Sequence, residues 1–474
     1  MSPKPILVEP GSWCLVDACR MSGFRRRSRG RSRPNVVFRR AGLLLRRIPA
    51  LLALVNSRRM LSYSTVGARE LAGMNAMVRA SLFWGLLSSC AFVASASAQQ
   101  INAPTTQEYY SGSKFLFCSQ TERESWLRSM DQHFQTQIVK HGDHIRPLES
   151  GKPLEFEINT QSGTQSLQSF MAQWKTAGIL VLREGRVRLE AYGLGHNRVG
   201  RWNSFSVAKS LTSTLAGAAI KDGYIKTVDD PVTDYLPALR GSAYDGVTIR
   251  QLLTMTSGVK WNEDYQDPNS DVSRILDAPS EPGVGQIVSY MRRLPRAAEP
   301  GNKFSYNTGE THLVGAVVAA ATGRPLSEYL SEKIWKPYGM EADAAWVVDR
   351  SNDVTGGGSI SMRLRDYARV GLFILDGARI GNQPIVPGWW LGTATRKAVD
   401  IGAPGRGYGF QWWTHDDGTF EAHGIFGQLI FVDPKRHLVV AISSAWEQAT
   451  DPVASGAQTA LLNAIQTAVD RDPT

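Results

Sequence analysis

The sequence predicts an α+β protein in which helices pack against an antiparallel sheet. Three observations support this: a hairpin pattern lies in mid-chain, a long apolar helix follows it, and short strands separated by turns precede a last helix. A sheet needs a second layer to cover its apolar face. Strands on either side of a buried helix therefore indicate helix-on-sheet packing.

The N-terminal part differs in charge from the rest of the chain. Residues 1–98 contain sixteen Lys and Arg residues and three acidic ones, a net charge of +13, whereas the whole chain carries +10 and residues 99–474 therefore −3. Basic runs of this kind also occur in nucleic-acid-binding proteins. We interpret them instead as part of a weakly structured leader, and we expect no nucleic-acid partner.

A signal for export ends this leader. Residues 77–98 begin with a short basic stretch, continue with an apolar run and end in small residues. This order is typical of a secretory signal peptide, and the run is too short for a stable membrane span. We expect translation to start at Met74 or Met77, cleavage after Ala98, and an exported mature chain, periplasmic or secreted, without a membrane span. Processing at Cys90, as in a lipoprotein, is the alternative.

The segment after the leader, residues 99–164, is polar and mixed in pattern. We interpret it as an approach segment with one helix over residues 122–138. The main domain is expected over residues 165–474, with regular structure beginning near Leu167. Cys118 is the only cysteine after the leader, so the stability of the domain must come from core burial.

The predicted sheet has an N-terminal and a C-terminal part. Residues 179–182 are apolar, Glu184-Gly185 forms a turn, and residues 187–192 alternate, which together predict a hairpin. Later residues with the same kind of spacing predict an antiparallel meander and a closing helix. These strands are residues 407–413, 420–424, 427–432 and 438–443, and the helix is residues 454–469.

The apolar helix in mid-chain opens with a serine and a lysine three residues apart, Ser206 and Lys209. At this spacing two side chains lie on one helix face, with about 5–6 Å between their Cβ atoms. A lysine that is desolvated by an apolar helix face loses its preference for the ammonium form and can take the proton of a serine. Two polar residues on a solvated helix edge are the alternative. Gly223 is placed to end the helix. The apolar stripe consists of Val207, Leu211, Leu215 and Ala218.

Two later segments complete a candidate site. Tyr306 follows a Pro300-Gly301 turn and precedes an apolar helix. A neighbouring ammonium lowers the pKa of a phenol, so we expect Tyr306 and Lys209 to share a proton, with a core tyrosine as the alternative. Gly424 and Gly427 lie in a predicted strand, where glycines mark a close approach of the backbone. A strand edge beside the serine would supply a second N–H donor for an oxyanion.

Residues 165–470 resemble the serine β-lactamase and penicillin-binding-protein superfamily, on the side of the class C enzymes and related esterases. The matching motifs are Ser206-Val207-Ala208-Lys209, residues 252–258, residues 300–306 and residues 424–427 before Asp433-Pro434. The resemblance implies a five-stranded antiparallel sheet flanked by terminal helices, with an inserted, mainly helical lobe. It places the active site between the lobes, where ligand sites are common.

The resemblance also implies roles for individual residues. Ser206 would be the nucleophile, Lys209 and Tyr306 would move its proton, and the backbone N–H groups of Ser206 and Ile425 would bind the oxyanion. The family needs no metal or cofactor. The family's Tyr-x-Asn motif is changed here to Tyr306-Asn307-Thr308, so its amide is either replaced by a hydroxyl or displaced by one residue, and we expect Asn307 to contact substrate.

The third motif departs further from the family. Alignment on Gly424 places Ala422 where the family has Lys or His, and His423 where it has Thr. An alanine cannot bind a substrate carboxylate, and adjacent strand residues face opposite sides. We nevertheless expect His423 and Gly424 to contact substrate. The loop ending in Tyr265 resembles one in 6-aminohexanoate-dimer hydrolases, which implies a contact between Tyr265 and a substrate amide, with simple packing as the alternative.

These features predict a serine hydrolase that cleaves a small-molecule ester or amide through an acyl-enzyme. A β-lactamase or D,D-carboxypeptidase is one alternative, and a catalytically idle family member that acts as a binding protein is another. The sequence contains no G-x-x-x-x-G-K-[ST], H-E-x-x-H or G-x-S-x-G motif. The P-loop, zincin and α/β-hydrolase classes therefore lack their signatures.

Overall fold

The structure, a computed structural model, describes residues 108–160 and 163–472. The predicted leader and its signal peptide, residues 77–98, lie outside the described residues. The strands of the described part are, in chain order, β1 (Thr136–Val139), β2 (Ile158–Thr160), β3 (Gly163–Gln165), β4 (Thr176–Arg183), β5 (Arg186–Tyr192), β6 (Trp202–Asn203), β7 (Ala344–Val347), β8 (Ile360–Met362), β9 (Arg379–Ile380), β10 (Gln383–Pro384), β11 (Arg406–Tyr408), β12 (Trp413–His415), β13 (Phe420–Gly424), β14 (Gln428–Asp433) and β15 (Leu438–Ser444).

The helices of the same ranges cover both ends and the middle of the domain. They are α1 (Gly112–Leu116), α2 (Gln120–His133), α3 (Leu167–Gln173), α4 (Ala208–Lys221), α5 (Ile249–Leu253), α6 (Asp271–Arg274), α7 (Gln286–Met291), α8 (Thr308–Thr322), α9 (Leu326–Leu330), α10 (Lys336–Tyr338), α11 (Leu364–Leu375), α12 (Trp390–Ala394) and α13 (Pro452–Arg471). The predicted α+β class is confirmed.

The main sheet has the strand order β11-β12-β13-β14-β15-β4-β5, and every pair is antiparallel. The five strands from β13 to β5 are the predicted sheet, and β11 and β12 extend it to seven. The single strand expected over residues 407–413 was therefore wrong. It divides in two at Gln411, which has a φ of 65° and is buried, so the chain turns where a continuous strand was expected.

Helices cover both faces of this sheet. Along β4, alternate residues point to opposite faces, so Ile179 and Val181 pack with α3 and α13 while Leu180 and Leu182 pack with α11. Gly371 lets α11 approach closely, because a Cβ there would press against Val439 of β15. The sheet is therefore the middle layer of a helix-sheet-helix domain.

The mainly helical lobe lies between β6 and β7 in the sequence. Its central helix is α4, in which every residue from Ala208 to Ala219 is buried, and which packs against α8. Gly223 has a φ of 83° directly after the helix, as expected for the residue that ends it. The strand β6 pairs with β8 in a second sheet of order β1-β7-β8-β6. This pairing fixes the chain just before α4.

The segment before residue 165 is more ordered than predicted. The helix expected over residues 122–138 ends at His133, because Phe134 is extended and the next residues pair as β1 with the edge of β7. Among the described residues, the first helix begins at Gly112, well before the Leu167 expected as the start of regular structure. Phe115 of α1 is fully buried in the core.

Within the described ranges, no helix combines the length and the apolar character needed to cross a bilayer.

Replacement of Phe115 by Ala is expected to lower the free energy of unfolding by about 3–5 kcal/mol, because it leaves a cavity in the core. Urea denaturation of the purified protein measures this change. Phe117, two residues later and 47% exposed, is the matched control, and its replacement by Ala should change stability by less than about 0.5 kcal/mol. Equal effects of the two substitutions would mean that α1 does not belong to the core.

Candidate active site

The predicted serine and lysine lie together at the start of α4. Ser206 is in a 3-10 turn, Phe205–Val207, that leads into the helix, and Lys209 is in its first turn. The Lys209 Nζ atom is 2.7 Å from the Ser206 Oγ atom. It also donates to the Gly357 carbonyl at 2.6 Å and to the Thr308 Oγ1 atom at 3.0 Å. All three acceptors are uncharged oxygen atoms.

Burial changes the proton affinity of this lysine. Lys209 is 1% exposed, and its burial lowers its pKa to about 8, although the Glu263 carboxylate acts in the opposite direction. The charged form of an amine is disfavoured when it leaves water. Lys209 is therefore able to accept a proton close to neutral pH.

Tyr306 also lies at this site, as the sequence predicts. Lys209 Nζ is 5.2 Å from the centre of its ring, and Tyr306 lines the same cavity as Ser206. The ring is held by stacking on Trp413, with ring centres 5.4 Å apart. The predicted lowering of its pKa was wrong: burial and the Glu263 carboxylate raise the pKa of Tyr306, although the Ser206 hydroxyl acts in the opposite direction. Tyr306 therefore keeps its proton at neutral pH, whereas the pKa of Lys209 lies close to neutral.

The sequence analysis missed Glu263, which organises the polar part of the site. Its carboxylate accepts hydrogen bonds from the Thr308 backbone N–H at 2.9 Å and from the Tyr265 hydroxyl at 2.6 Å. It also accepts from the Thr308 hydroxyl and the Trp261 indole. The sequence did contain a signal, because Glu263 lies between Trp261 and Tyr265. Only Tyr265 of this loop was given a role in the sequence analysis.

The structure separates Asn307 from the site. Asn307 is 1% exposed and caps α8, where its Oδ1 atom accepts from the Glu310 N–H at 3.1 Å. Its Nδ2 group donates to the Glu310 carboxylate at 3.2 Å. The expected substrate contact of Asn307 is therefore corrected: the Thr308 hydroxyl contacts Lys209 instead. Of the two alternatives left open, the amide is replaced by a hydroxyl.

His312, to which the sequence gave no role, supports Lys209 indirectly. Its Nδ1 atom accepts a hydrogen bond from the Gly357 N–H at 3.0 Å. Burial and the nearby Lys209 charge lower the pKa of His312 to about 3, so the imidazole is neutral and accepts at Nδ1. It holds Gly357 at its N–H, and the carbonyl of the same residue accepts from the lysine.

The strand predicted beside the serine is in place. A Cβ at Gly424 would overlap the Ser204 carbonyl oxygen, and one at Gly427 would overlap the Trp446 indole. The expected close approach of the backbone at both glycines is confirmed. Ile425, between them, lines the same cavities as Ser206.

The residues next to Ser206 and Ile425 have an unusual backbone conformation. Phe205 has a φ of 43° and Phe426 a φ of 60°, a region that residues with a Cβ rarely adopt. Their ring centres are 5.6 Å apart. The Phe115 ring contacts both, at 5.1 Å and 6.2 Å. Aromatic packing therefore holds the two backbone turns that face the site.

The third motif contributes a histidine. His423 lines the cavity, and its Nε2 atom is 2.9 Å from the Glu421 carboxylate, which also contacts Arg406 at 2.9 Å and His415 at 3.1 Å. Burial raises the pKa of Glu421, but His423 and His415 outweigh it and hold that pKa well below its usual range. Ala422 is buried in the core on the opposite face, as strand alternation predicts.

Two cavities meet at Ser206. The larger one has a volume of 420 Å³, and the smaller one, which Ser206 also lines, has a volume of 60 Å³. Tyr265 lines both, so the structure places this predicted residue beside the serine. Among the described residues, no three of His, Cys, Asp and Glu form a group that could hold a metal ion. Side chains on the larger cavity include Ser206, Tyr265, Tyr306, Arg406, Trp413 and His423.

A flanked antiparallel sheet, a helical lobe and a buried lysine beside a serine define the β-lactamase and transpeptidase class of fold. The chain belongs to the Beta-lactamase family, whose model matches residues 164–464. A 6-aminohexanoate-dimer hydrolase from Paenarthrobacter ureafaciens is 31% identical over 64% of this chain and 81% of its own length. Esterase EstB from Burkholderia gladioli is 25% identical over 58% and 87%. The chain is thus a hydrolase of this family, and the predicted resemblance is confirmed.

Solved structures agree on the fold. A Bacillus anthracis protein described as a 6-aminohexanoate-dimer hydrolase is 22% identical and superposes with a TM-score of 0.68, over 80% of this chain and 99% of its own. The hydrolase EstCE1 is 18% identical, with a TM-score of 0.52 over 62% and 96%. These similarities establish the architecture.

Replacement of Glu263 by Gln is expected to lower the pKa of Lys209 below about 8, since it removes the negative charge that partly offsets burial. Titration of ¹³C-labelled lysine by NMR measures this change. Glu299→Gln, at an exposed loop position, is the control and should leave the Lys209 titration in place. An unchanged or raised pKa in the Glu263→Gln protein would contradict the assigned electrostatic role.

Proposed function

We propose that this protein is an exported serine hydrolase that cleaves an ester or amide bond through an acyl-enzyme on Ser206. One observation carries the proposal: the Nζ atom of a buried lysine, with a pKa lowered to about 8, lies 2.7 Å from the serine Oγ atom at the wall of a cavity. A serine hydroxyl becomes a useful nucleophile only when an adjacent base takes its proton.

In the first half of the reaction, the Ser206 oxygen forms a bond to the substrate carbonyl carbon while its proton passes to Lys209. The carbonyl electrons move to the oxygen, and the resulting oxyanion faces the backbone N–H groups of Ser206 and Ile425, the pair that the family resemblance implies. Donors fixed in advance at such a position stabilise the developing charge without reorganisation.

In the second half, the bond to the leaving group breaks. Tyr306, which stays protonated because its pKa is raised, donates its proton to the departing oxygen or nitrogen and regains one from the Lys209 ammonium. Water then attacks the acyl carbon, the same groups take its proton, and Ser206 is released with its hydroxyl restored.

The choice of ester or amide rests on two further points. Relatives named as an esterase and as a 6-aminohexanoate-dimer hydrolase are similar to this chain. Ala422 is buried and offers no cation where the family binds a carboxylate, which argues against a β-lactamase or D,D-carboxypeptidase. A small-molecule ester or amide is accordingly the proposed substrate.

Replacement of Ser206 by Ala is expected to reduce kcat for p-nitrophenyl acetate by 10³-fold or more, on the order seen when a catalytic serine is removed. It should also abolish covalent labelling by a fluorophosphonate. Ser210→Ala is the matched control, because Ser210 lies one residue after Lys209 and bonds to the Gln411 carbonyl, away from the cavities. Retained turnover without Ser206 would refute the acyl-enzyme.

Two further measurements separate the alternatives. Hydrolysis of nitrocefin at a rate comparable to that of the ester would favour a β-lactamase. Stable binding of a cell-wall fragment without any burst of product or labelling of Ser206 would favour a catalytically idle binding protein.

Export is proposed from the sequence of residues 77–98. We expect the mature protein recovered from a bacterial host to begin at Gln99, after removal of the signal peptide. N-terminal sequencing measures this, and Ala98→Glu, which removes the small residue at the cleavage site, should leave the precursor uncleaved. A mature chain that begins well before residue 77 would contradict the prediction.

A further inference from the structure

A second acidic residue, Glu310, is buried in the first turn of α8, behind the site. It is 1% exposed, and its Oε1 atom accepts hydrogen bonds from the Ser257 hydroxyl and, at 3.2 Å, from the Asn307 amide. Its Oε2 atom is also buried, and it has no hydrogen-bond partner among the described residues. Buried polar atoms without a partner are rare in folded proteins, so the role of this side chain needs a physical reason.

Glu310 and Asn307 hold the segment that carries two groups of the site. The Asn307 Oδ1 atom accepts from the Glu310 backbone N–H at 3.1 Å, and the Asn307 amide donates back to the Glu310 carboxyl. The two residues are thus joined in both directions. Because Asn307 lies between Tyr306 and Thr308, this link fixes the backbone from which both approach Lys209.

Ser257 connects Glu310 to the loop of residues 257–265, which carries Glu263. Ser257 is 1% exposed and lies at the start of this loop. Further along the loop, the Glu263 carboxylate accepts from the backbone N–H and the hydroxyl of Thr308. Two acidic residues therefore hold the first turn of α8, one through Thr308, which lines a cavity, and the other through the buried Asn307.

The surroundings of Glu310 favour its neutral form. Burial raises the pKa of its carboxyl to about 8, although the hydrogen bonds from Ser257 and Asn307 act in the opposite direction. In the part of the chain that the structure describes, no cation offsets the burial. A carboxyl that leaves water without a cationic partner keeps its proton more readily. Glu310 is therefore mainly a neutral acid at pH 7.

The neighbouring titratable groups bring no positive charge to Glu310. Tyr244, before α5, and Tyr408 of β11 both have a pKa raised well above the ordinary value, mainly by burial and in part by Glu310. His312, on the same helix, is neutral because its pKa is lowered to about 3. Titratable side chains on the helices packed against α8 have other partners: Lys209 of α4 with Ser206, Arg250 of α5 with Asp229, Tyr290 of α7 with Asp271, and Tyr329 of α9 with Asp222.

We propose that Glu310 is a positioning residue for the reaction at Ser206: its neutral form holds Asn307 and Ser257 in place, and its ionisation at alkaline pH releases them and stops the reaction. A buried negative charge with an unpartnered oxygen atom is costly, and the chain relieves this cost when the carboxylate moves towards water. The inference rests on the proposed acyl-enzyme and adds an upper pH limit to it.

The two other proton-carrying groups do not set this limit. Lys209 acts as a base only after it has lost its proton, so its pKa of about 8 makes the rate rise with pH. Tyr306 keeps its proton over the same range because its pKa is raised. A fall of the rate above pH 8 therefore reports on Glu310.

The rate at which a fluorophosphonate labels Ser206, measured between pH 6 and pH 10, tests the limit. In the wild-type protein we expect this rate to be highest near pH 8 and to fall about tenfold by pH 10, as a single ionisation allows. Glu310→Gln keeps an uncharged side chain that accepts the same two hydrogen bonds, so its rate should rise with pH and then stay level. A wild-type rate that does not fall, or an equal fall in the variant, would overturn the inference.

A matched control and a second variant complete this test. Glu328 lies in the first turn of α9 but is exposed, and Glu328→Gln should keep the wild-type pH profile. Ser257→Ala removes a hydrogen bond that lowers the pKa of Glu310, so it should move the alkaline fall to higher pH, also if Glu310→Gln folds poorly. An alkaline fall that stays in place in folded Ser257→Ala protein would contradict the assignment.

The positioning role has its own measurement. Glu310→Ala removes the hydrogen bonds as well as the acid, and it should lower kcat for p-nitrophenyl acetate at pH 8 by about tenfold with little change in KM, because it displaces groups that act in the transition state. Asn307→Ala should do the same if the first variant folds poorly. Rescue of kcat by Gln but not by Ala at position 310 is expected, and wild-type kcat in a folded Ala variant would refute the role.

The two proposals fail separately. If a fluorophosphonate does not label Ser206 at any pH and no ester is hydrolysed, the proposed function falls, and the role of Glu310 falls with it. If Ser206 is labelled with the same pH profile in the wild-type and Glu310→Gln proteins, only the inference about Glu310 is wrong.

Discussion

The burial of the Lys209 ammonium is the constraint on which the rest of the site depends. An amine at 1% exposure is costly unless nearby oxygen atoms accept its hydrogen bonds. The fold supplies three such atoms from three different parts of the chain: Ser206 in the 3-10 turn before α4, Thr308 at the start of α8, and the Gly357 carbonyl between β7 and β8. The packing of α4 against α8 and the turn at Gly357 therefore determine the proton affinity of the lysine together.

Glu263 sets the balance between the two proton-carrying groups. Its negative charge raises the pKa of both Lys209 and Tyr306, and burial adds to this for the phenol but opposes it for the amine. The same surroundings therefore make one group an acceptor and the other a donor near neutral pH. Pairs of titratable groups that an environment drives apart in this way are the usual basis of acid and base roles.

The sequence was sufficient for what depends on local spacing. An S-x-x-K at the start of an apolar helix brings Ser206 and Lys209 together, because residues three apart share a helix face. The glycines at 424 and 427 indicate a close approach of the backbone. It was insufficient where tertiary partners decide. Asn307 became a helix cap because Glu310 lies three residues later, and the chain after His133 became a strand because the edge of β7 was open to it. The direction in which the pKa of Tyr306 shifts depends on its burial and on the nearby Glu263 carboxylate. Both are tertiary features that the spacing of residues in the sequence does not show.

The left-handed turns at Phe205 and Phe426 are held in part by a residue outside the range that the family model matches. Non-glycine residues in this conformation cost of order 1–3 kcal/mol each, and the Phe115 ring that packs on both belongs to a helix outside the residues matched by the family model. The residues that carry the chemistry are thus held in shape by a helix that the family model does not include. A substitution at Phe115 would therefore alter the backbone beside Ser206 and Ile425 while the serine, lysine and tyrosine stayed the same, and a comparison restricted to residues 164–464 would not register the change.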